Sequence, residues 1–363
     1  AGLRIRHFLL PEPAMGQRPG ALAGCAVPGL ATPGELATWL GITVPQLEWY
    51  ADRRGMIRAA DGPLCHYRYR WVPKRHGDYR LIESPKPALR AIQRRILREI
   101  LDKVPPHASA HGFRRGHSCL SYAAPHVGKG VVLRMDLRNF FGSVPAGRVT
   151  ALFKTLGYPE ETARLLAGLC RNCIPFGTIS NIPGAGPGFV PSWHERKKLE
   201  LAHLPQGAPT SPALANFCAL HLDFRLAALA EKLGAAYTRY ADDLAFSGEE
   251  SLRRGVRGFA DRVAAIALDE GFEVNFRKTR FMHRSDRQVL TGIVVNEKMN
   301  LHRGEFDRLK AILHNCRRFG PDSQNREGHG DFRAHLLGRI NHLRRLNPPR
   351  GERLQAVFEG IAW

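Results

Sequence analysis

Three carboxylates carry the chemistry of this sequence. Two are adjacent, Asp242 and Asp243, inside Ala236-Tyr237-Thr238-Arg239-Tyr240-Ala241-Asp242-Asp243-Leu244-Ala245-Phe246-Ser247-Gly248. The apolar and aromatic positions on either side read as two short strands, so the pair falls where a β-rich run reverses direction. Neighbouring like charges are costly unless neutralised, and a divalent cation is the usual remedy. The third carboxylate, Asp136, ends another strand-like run, Val131-Val132-Leu133-Arg134-Met135-Asp136. Together they form the ligand set of a two-metal phosphoryl-transfer site. An Asp-Asp turn alone is ordinary turn chemistry. The apolar flanks, and the ordered segments on both sides, favour the catalytic reading here.

The charge balance points to the partner. Against 33 Asp and Glu stand 54 Lys and Arg, a net charge of +21 spread along 363 residues. Such a surplus suits a polyanion surface, with a merely solvated basic surface as the plain alternative. No apolar run approaches the roughly 20 residues of a spanning helix, and no N-terminal stretch resembles a signal peptide. No membrane association is expected, and a cytoplasmic setting is. The start at Ala1 without Met suggests a native start further upstream. Seven irregularly spaced cysteines make no disulfide framework. Cys170 and Cys173 form one CxxC, with His194 the nearest downstream candidate, so zinc and incidental thiols are both open readings.

The elements that must position these carboxylates read as α+β. Residues 1–34 form a Pro/Gly-rich lead-in, and 35–65 a small helical cap, with Pro33–Gly41 and Thr43–Tyr50 as two short helices. A helix-turn-helix is the other reading of that pair. A basic, aromatic hairpin over Tyr67–Ile82 turns at His76-Gly77-Asp78, and a basic helix follows over about 86–104. Strand 130–141, helix 146–170, a Gly/Pro-rich loop 174–205 and a helix from Pro209 to Leu233 precede the catalytic hairpin. Helix 252–271 and strands Phe272–Phe276 and Val289–Val295 come after it. Beyond Arg303 the chain is helical, and 303–353 holds twelve Lys and Arg against six Asp and Glu. An antiparallel sheet covered by helices on one face is expected.

The segments, in order, resemble the reverse transcriptase family. Tyr79-Arg80-Leu81-Ile82 through Leu97 is similar to its fingers motif, and His111-Gly112-Phe113-Arg114-Arg115-Gly116-His117-Ser118 to the next block. Arg134-Met135-Asp136-Leu137-Arg138-Asn139-Phe140-Phe141 resembles the first palm motif. Leu204-Pro205-Gln206-Gly207-Ala208-Pro209-Thr210-Ser211-Pro212 resembles the central palm motif, and Tyr240-Ala241-Asp242-Asp243 the catalytic turn. Gly271-Phe272-Glu273-Val274-Asn275-Phe276-Arg277-Lys278-Thr279 and Leu290-Thr291-Gly292 complete the set. Within the family the bacterial retron-type enzymes look nearest. Two of their elements occur in altered form: Tyr122-Ala123-Ala124-Pro125-His126 has Tyr where they have Asn, and Leu290-Thr291-Gly292 has Leu where they have Val. Gly338 to Pro348 is similar to their small thumb.

The resemblance implies a right-hand polymerase, with fingers at 66–130, palm at 131–300 and a small helical thumb at 301–363. It implies Asp136, Asp242 and Asp243 as catalytic and metal-binding residues for two Mg²⁺ ions, Asp243 with the weaker direct role. Arg80, with Lys74 or Arg75, is expected to clamp the incoming triphosphate, because a guanidinium fork binds phosphate in two places. Phe141 is the expected steric gate against a 2′-hydroxyl, with a core aromatic as the alternative because Phe140 adjoins it. Gln206 and Gly207 would lie beside nucleotide and template, and Lys278 would make a phosphate or a structural contact. Arg90, Arg94, Arg95, Arg114, Arg115, Arg339, Arg344 and Arg345 are candidate RNA contacts. His126 is either another or a satisfied surface histidine. The implied partners are a structured noncoding RNA as template and 2′-hydroxyl primer, dNTPs, an RNA–DNA hybrid product and an effector protein in antiphage defence. Two alternatives stand beside this. One is another defence-associated or diversity-generating reverse transcriptase; the other is a scaffold that packages an RNA and holds an effector.

Overall fold

The structure is a computed structural model and describes residues 12–59, 65–73, 79–175, 178 and 200–363. Helices α1 (Pro33–Leu40) and α2 (Val44–Tyr50) open the chain, then strands β1 (Tyr67–Pro73) and β2 (Tyr79–Pro85) and helix α3 (Pro87–Glu99). Next come α4 (Cys119–Ala123), β3 (Val131–Asp136), α5 (Ala146–Thr155), α6 (Glu160–Cys170), α7 (Ser211–Cys218) and α8 (Leu220–Glu231). The catalytic hairpin is β4 (Ala236–Tyr240) and β5 (Asp243–Gly248), followed by α9 (Glu250–Asp269) and β6 (Arg280–His283). Short strands β7 (Val289–Leu290), β8 (Ile293–Val294) and β9 (Asn300–Leu301) lead to α10 (Arg303–Phe319), α11 (Phe332–Leu346) and α12 (Pro348–Glu359). No single helix among the described residues is long and apolar enough to cross a membrane.

The chain divides into two compact units, each discontinuous in sequence. One comprises Ala108–Leu137, Leu222–Leu268 and Glu273–Trp363. Its centre is an antiparallel sheet in the order β4-β5-β3-β6. Strand alternation gives the sheet two characters. Leu133, Met135, Leu244 and Phe246 point to one side and are fully buried. There Tyr237 stacks on Phe246, and Phe259 of α9 meets Phe246 edge-on. Val132, Arg134 and Asp136 point to the other side, where Val132, Ala245 and Met282 pack with Tyr122, Leu290, Ile293 and Val295. Helices α10 to α12 close around their own apolar core of Leu309, Leu313, Leu336, Ile340, Leu343, Leu354 and Phe358.

The other unit comprises Ala1–His107, Arg138–His221 and Asp269–Phe272. Strands β1 and β2 pair antiparallel from Tyr67 with Pro85 to Pro73 with Tyr79. Helices α1 and α2 each begin with a Thr capping box and a proline in the first turn, and Gly41 in the left-handed region separates them. They pack on α6, where Gly168 lies so close to Ala51 that a Cβ would collide with its carbonyl.

Several expected elements differ. The helix expected over 146–170 is two helices, parted where Gly157 takes a positive φ of 91°. The helix expected to run to Leu233 is likewise interrupted between α7 and α8, with a bend of 51°. The strand expected at Phe272–Phe276 reduces to a single bridge between Leu137 and Val274, held by the Asn275 N–H on the Asp136 carbonyl, because the chain enters a 3-10 turn at Phe276–Lys278. The true partner strand is β6, one turn later. Val289–Val295 is a tight hairpin, since Thr291 and Gly292 both take positive φ. The compact units also cut across the expected fingers, palm and thumb limits, because strands and helices that pack together come from separated stretches of chain. The turn at 76–78 and most of the loop 174–205 lie outside the described residues.

Candidate active site

The hairpin places its carboxylates through a strained turn. Ala241, between β4 and β5, has φ 57°, an uncommon conformation for a residue with a Cβ. Three contacts hold it there. Arg239 Nη1 donates to the Ala241 carbonyl at 3.1 Å, Leu137 N–H donates to the Asp242 carbonyl at 2.9 Å, and Gly112 packs against the Ala241 nitrogen with no room for a Cβ. The second of these fastens the turn to the end of β3. Register then pairs Asp136 directly with Asp243.

The three carboxylates have different partners. Asp136 is buried and accepts from Asn275 Nδ2 at 3.3 Å and from Lys278 Nζ at 2.9 Å. Asp243 accepts from Arg134 Nε and Nη2 on Oδ1, at 2.9 and 2.7 Å, and from Nη2 on Oδ2 at 2.9 Å. Asp242 has no ion pair among the described residues. Burial and the neighbouring Asp243 and Asp136 push its carboxyl up to about 6. Burial also raises Asp243 despite Arg134. A partly buried carboxylate destabilised by its own neighbours is a site that a cation relieves. No three His, Cys, Asp or Glu side chains among the described residues form a ready metal cage.

Behind the hairpin lies a polar network that the sequence reading missed. Arg239 and Asp223 form an ion pair, both fully buried, with Nη2 to Oδ2 at 2.6 Å and Nε to Oδ1 at 2.8 Å. Tyr237 OH donates to Asp223 Oδ1 at 2.7 Å. On the opposite face His126 is fully buried, Nδ1 at 2.7 Å from Ser247 Oγ and Nε2 at 2.7 Å from Thr238 Oγ1. The ring bridges β4 and β5 and has no exposed face, which corrects both the RNA-contact and the surface readings. Burial first, then His111 and Lys129, lowers its value to about 3, so it stays neutral.

In the other unit, Phe140 and Phe141 divide the two expected roles. Phe140 is buried and stacks on Phe272, with centroids 5.6 Å apart. Phe141 lines a cavity of about 450 Å³ together with Gly207, Arg90 and Arg94. Gly207 has φ 134°, and a Cβ would meet the Glu83 carbonyl. Glu83 is buried in β2 and organises this corner. It accepts from Asn172 Nδ2 at 2.8 Å, lies 3.1 Å from His203 Nε2, and donates its backbone N–H to the Gln206 carbonyl at 2.9 Å. Burial opposes a charge on His203, but Glu83 and the Leu201 carbonyl outweigh it and leave the imidazole above its ordinary value. Neither Glu83 nor His203 announces itself by spacing.

The remaining candidates spread widely. Arg80 is exposed on β2; Lys74 and Arg75 lie outside the described residues. Arg95 is half-buried, 4.8 Å from the Trp39 ring centroid and 3.3 Å from Glu99. Arg115, Arg344 and Arg345 are exposed, and Arg114 and Arg339 partly buried. All seven cysteines are free thiols; burial pushes Cys170 up to about 12, and His194 lies outside the described residues. The described residues therefore give the CxxC no metal partner.

Comparison with known proteins agrees with this geometry. Residues 72–307 match the family model described as "Reverse transcriptase (RNA-dependent DNA polymerase)". The chain is 41% identical to the Retron Mx65 reverse transcriptase of Myxococcus xanthus, over 98% of this chain and 77% of that protein. It is 36% identical to the Retron Mx162 reverse transcriptase of the same organism, over 87% of this chain and 64% of the relative. The Retron Ec86 reverse transcriptase of Escherichia coli is 33% identical over 72% of each. The ordered motifs, the α+β polymerase fold and these relatives agree: the chain belongs to the reverse transcriptase family, as an RNA-directed DNA polymerase of the bacterial retron type.

Proposed function

We propose that this polymerase copies part of a structured noncoding RNA into single-stranded DNA, primed from an RNA 2′-hydroxyl, with two Mg²⁺ ions as cofactors. The observation that carries the reading is the partly buried carboxylate cluster at the strained turn, where Asp242 has no ion pair among the described residues. Mg²⁺ suits so sparse a set, because it prefers one or two carboxylates plus substrate phosphates to a closed protein cage. Asp136 and Asp242 would hold the ions, which supply charge neutralisation on the attacking and leaving oxygens of an in-line displacement. The protein's own part is positioning. Asn275 orients Asp136, and Lys278 is available to a phosphate once it leaves Asp136. Arg80 would grip the triphosphate, and the Phe141 ring, facing its cavity beside Gly207, would exclude a 2′-hydroxyl. Arg90 and Arg94, which line that same cavity, are assigned to phosphate of the nucleotide or template. Arg114, Arg115, Arg339, Arg344 and Arg345 are assigned to the RNA backbone. A cytoplasmic role in antiphage defence with an effector protein completes the proposal.

The test is to purify the chain from cells carrying its own locus and sequence the bound nucleic acid after RNase and DNase treatment. A discrete RNA joined to DNA through a 2′,5′ branch is the expected result. Unbranched, heterogeneous DNA would discard this priming mode, and RNA without DNA would favour the scaffold.

A further inference from the structure

Among the described residues two cations attend the three carboxylates, and they are held very differently. Lys278 reaches Asp136 with one ammonium on a side chain that is 55% exposed. Such a contact is easily exchanged, because an exposed pair gains little beyond what water offers. Arg134 is another matter. Strand alternation puts it on the same face as Asp136, and register places it diagonally from Asp243. Its guanidinium makes three short contacts that engage both oxygens of Asp243. Asp243 itself is only 14% exposed. A planar fork on a largely buried carboxylate is among the stronger charged contacts a protein makes. A cation seeking those oxygens would have to displace it.

We propose that Asp243 is a positioning residue and not a cation ligand: it fastens Arg134, and Arg134 withdraws one negative charge from the cluster. The divalent ions are then held by Asp136 and Asp242 with substrate phosphates. This inference rests on the polymerase reading above and refines it. Its consequence has an unusual sign. Removing Arg134 releases a third negative charge beside Asp136 and Asp242, so neutralising Asp243 as well repairs the damage. Were Asp243 a ligand, neutralising it would make matters worse.

The experiment uses the full chain with its bound RNA. Mn²⁺ binding is followed by electron paramagnetic resonance in the presence of a non-hydrolysable dNTP, and dNTP incorporation is measured on the same samples. Thermal melts establish that each variant is folded. Asp243→Asn is expected to keep the wild-type ion count and bind Mn²⁺ within about threefold of wild type, well under one kcal/mol. Asp242→Asn is expected to lose at least one ion. Arg134→Met should lower incorporation about tenfold, and Arg134→Met with Asp243→Asn should recover most of that loss. An ion lost from Asp243→Asn, or a double variant no better than Arg134→Met, overturns the proposal. If Arg134→Met does not fold, the ion count of Asp243→Asn decides alone. A wild-type chain without incorporation, or Asp242→Asn with a full ion count, would instead sink the polymerase reading beneath it.

Discussion

Two arginine–aspartate pairs brace the same catalytic hairpin from opposite faces of its sheet, and they do different work. Arg239 and Asp223 are fully buried on the helix-covered face, joined by Tyr237 OH and tied to the Ala241 carbonyl. Arg134 and Asp243 lie on the carboxylate face, at 32% and 14% exposure, beside Asp242. The sealed pair holds a backbone shape. With its charges spent on each other and on a strained turn, it offers nothing to a ligand. The open pair adjusts the charge that a ligand meets. Strand alternation sends Arg239 to the helix-covered face and Arg134 to the carboxylate face of the same sheet.

The comparison breaks most readily at the sealed pair. Arg239→Met strands Asp223 in the interior and should cost about 3–5 kcal/mol in urea unfolding. Arg239→Met with Asp223→Leu should cost clearly less, because no unpaired charge is left behind. A single variant within about 1 kcal/mol of wild type would deny any bracing role.

A smaller effect is expected from His126. Its folded value, about 3, lies below its ordinary 6.5, so the unfolded chain binds the proton more readily. The stability that a neutral His126 confers is therefore complete above pH 6.5 and is lost as pH falls from 6.5 towards 3. His126→Gln should cost about 1–2 kcal/mol at neutral pH and flatten this part of the acid limb. Acid unfolding of wild type and variant, compared across that window, checks it; parallel acid limbs would contradict it.

The smallest effect belongs to Lys278. Its contact with Asp136 is half exposed, so Lys278→Ala should change stability by no more than about 0.5 kcal/mol. A loss as large as that of Arg239→Met would show Lys278 to be a fixed brace and not an exchangeable cation.

How much of this was legible depends on the range of the signal. Alternation about a two-residue turn revealed β4, β5 and the carboxylates, and the run ending at Asp136 revealed β3. Arg134 was legible in principle, since two residues before Asp136 on a strand means the same face. Asp223 was not, because a position on a helix does not say which strand it will meet. The burial of His126 has no local signal, because the partners that enclose its ring, Thr238 and Ser247, lie more than a hundred residues away. The pattern Phe272, Val274, Phe276 imitated a strand, yet Phe276 is 63% exposed and opens a 3-10 turn that ends the pairing after one bridge. Phe140 and Phe141 could be told apart only once the chain after β3 had a direction. Glu83, whose buried carboxylate joins residues 89 and 120 positions away, left no local trace.

The most direct test of the account is RNA-templated dNTP incorporation by the wild-type chain and by Asp242→Asn, with Mg²⁺ present and RNA binding measured in parallel. The account predicts steady incorporation by wild type and a fall of about a thousandfold in the variant, near 4 kcal/mol of barrier, with RNA binding unchanged. Incorporation by Asp242→Asn at a rate close to wild type would contradict it.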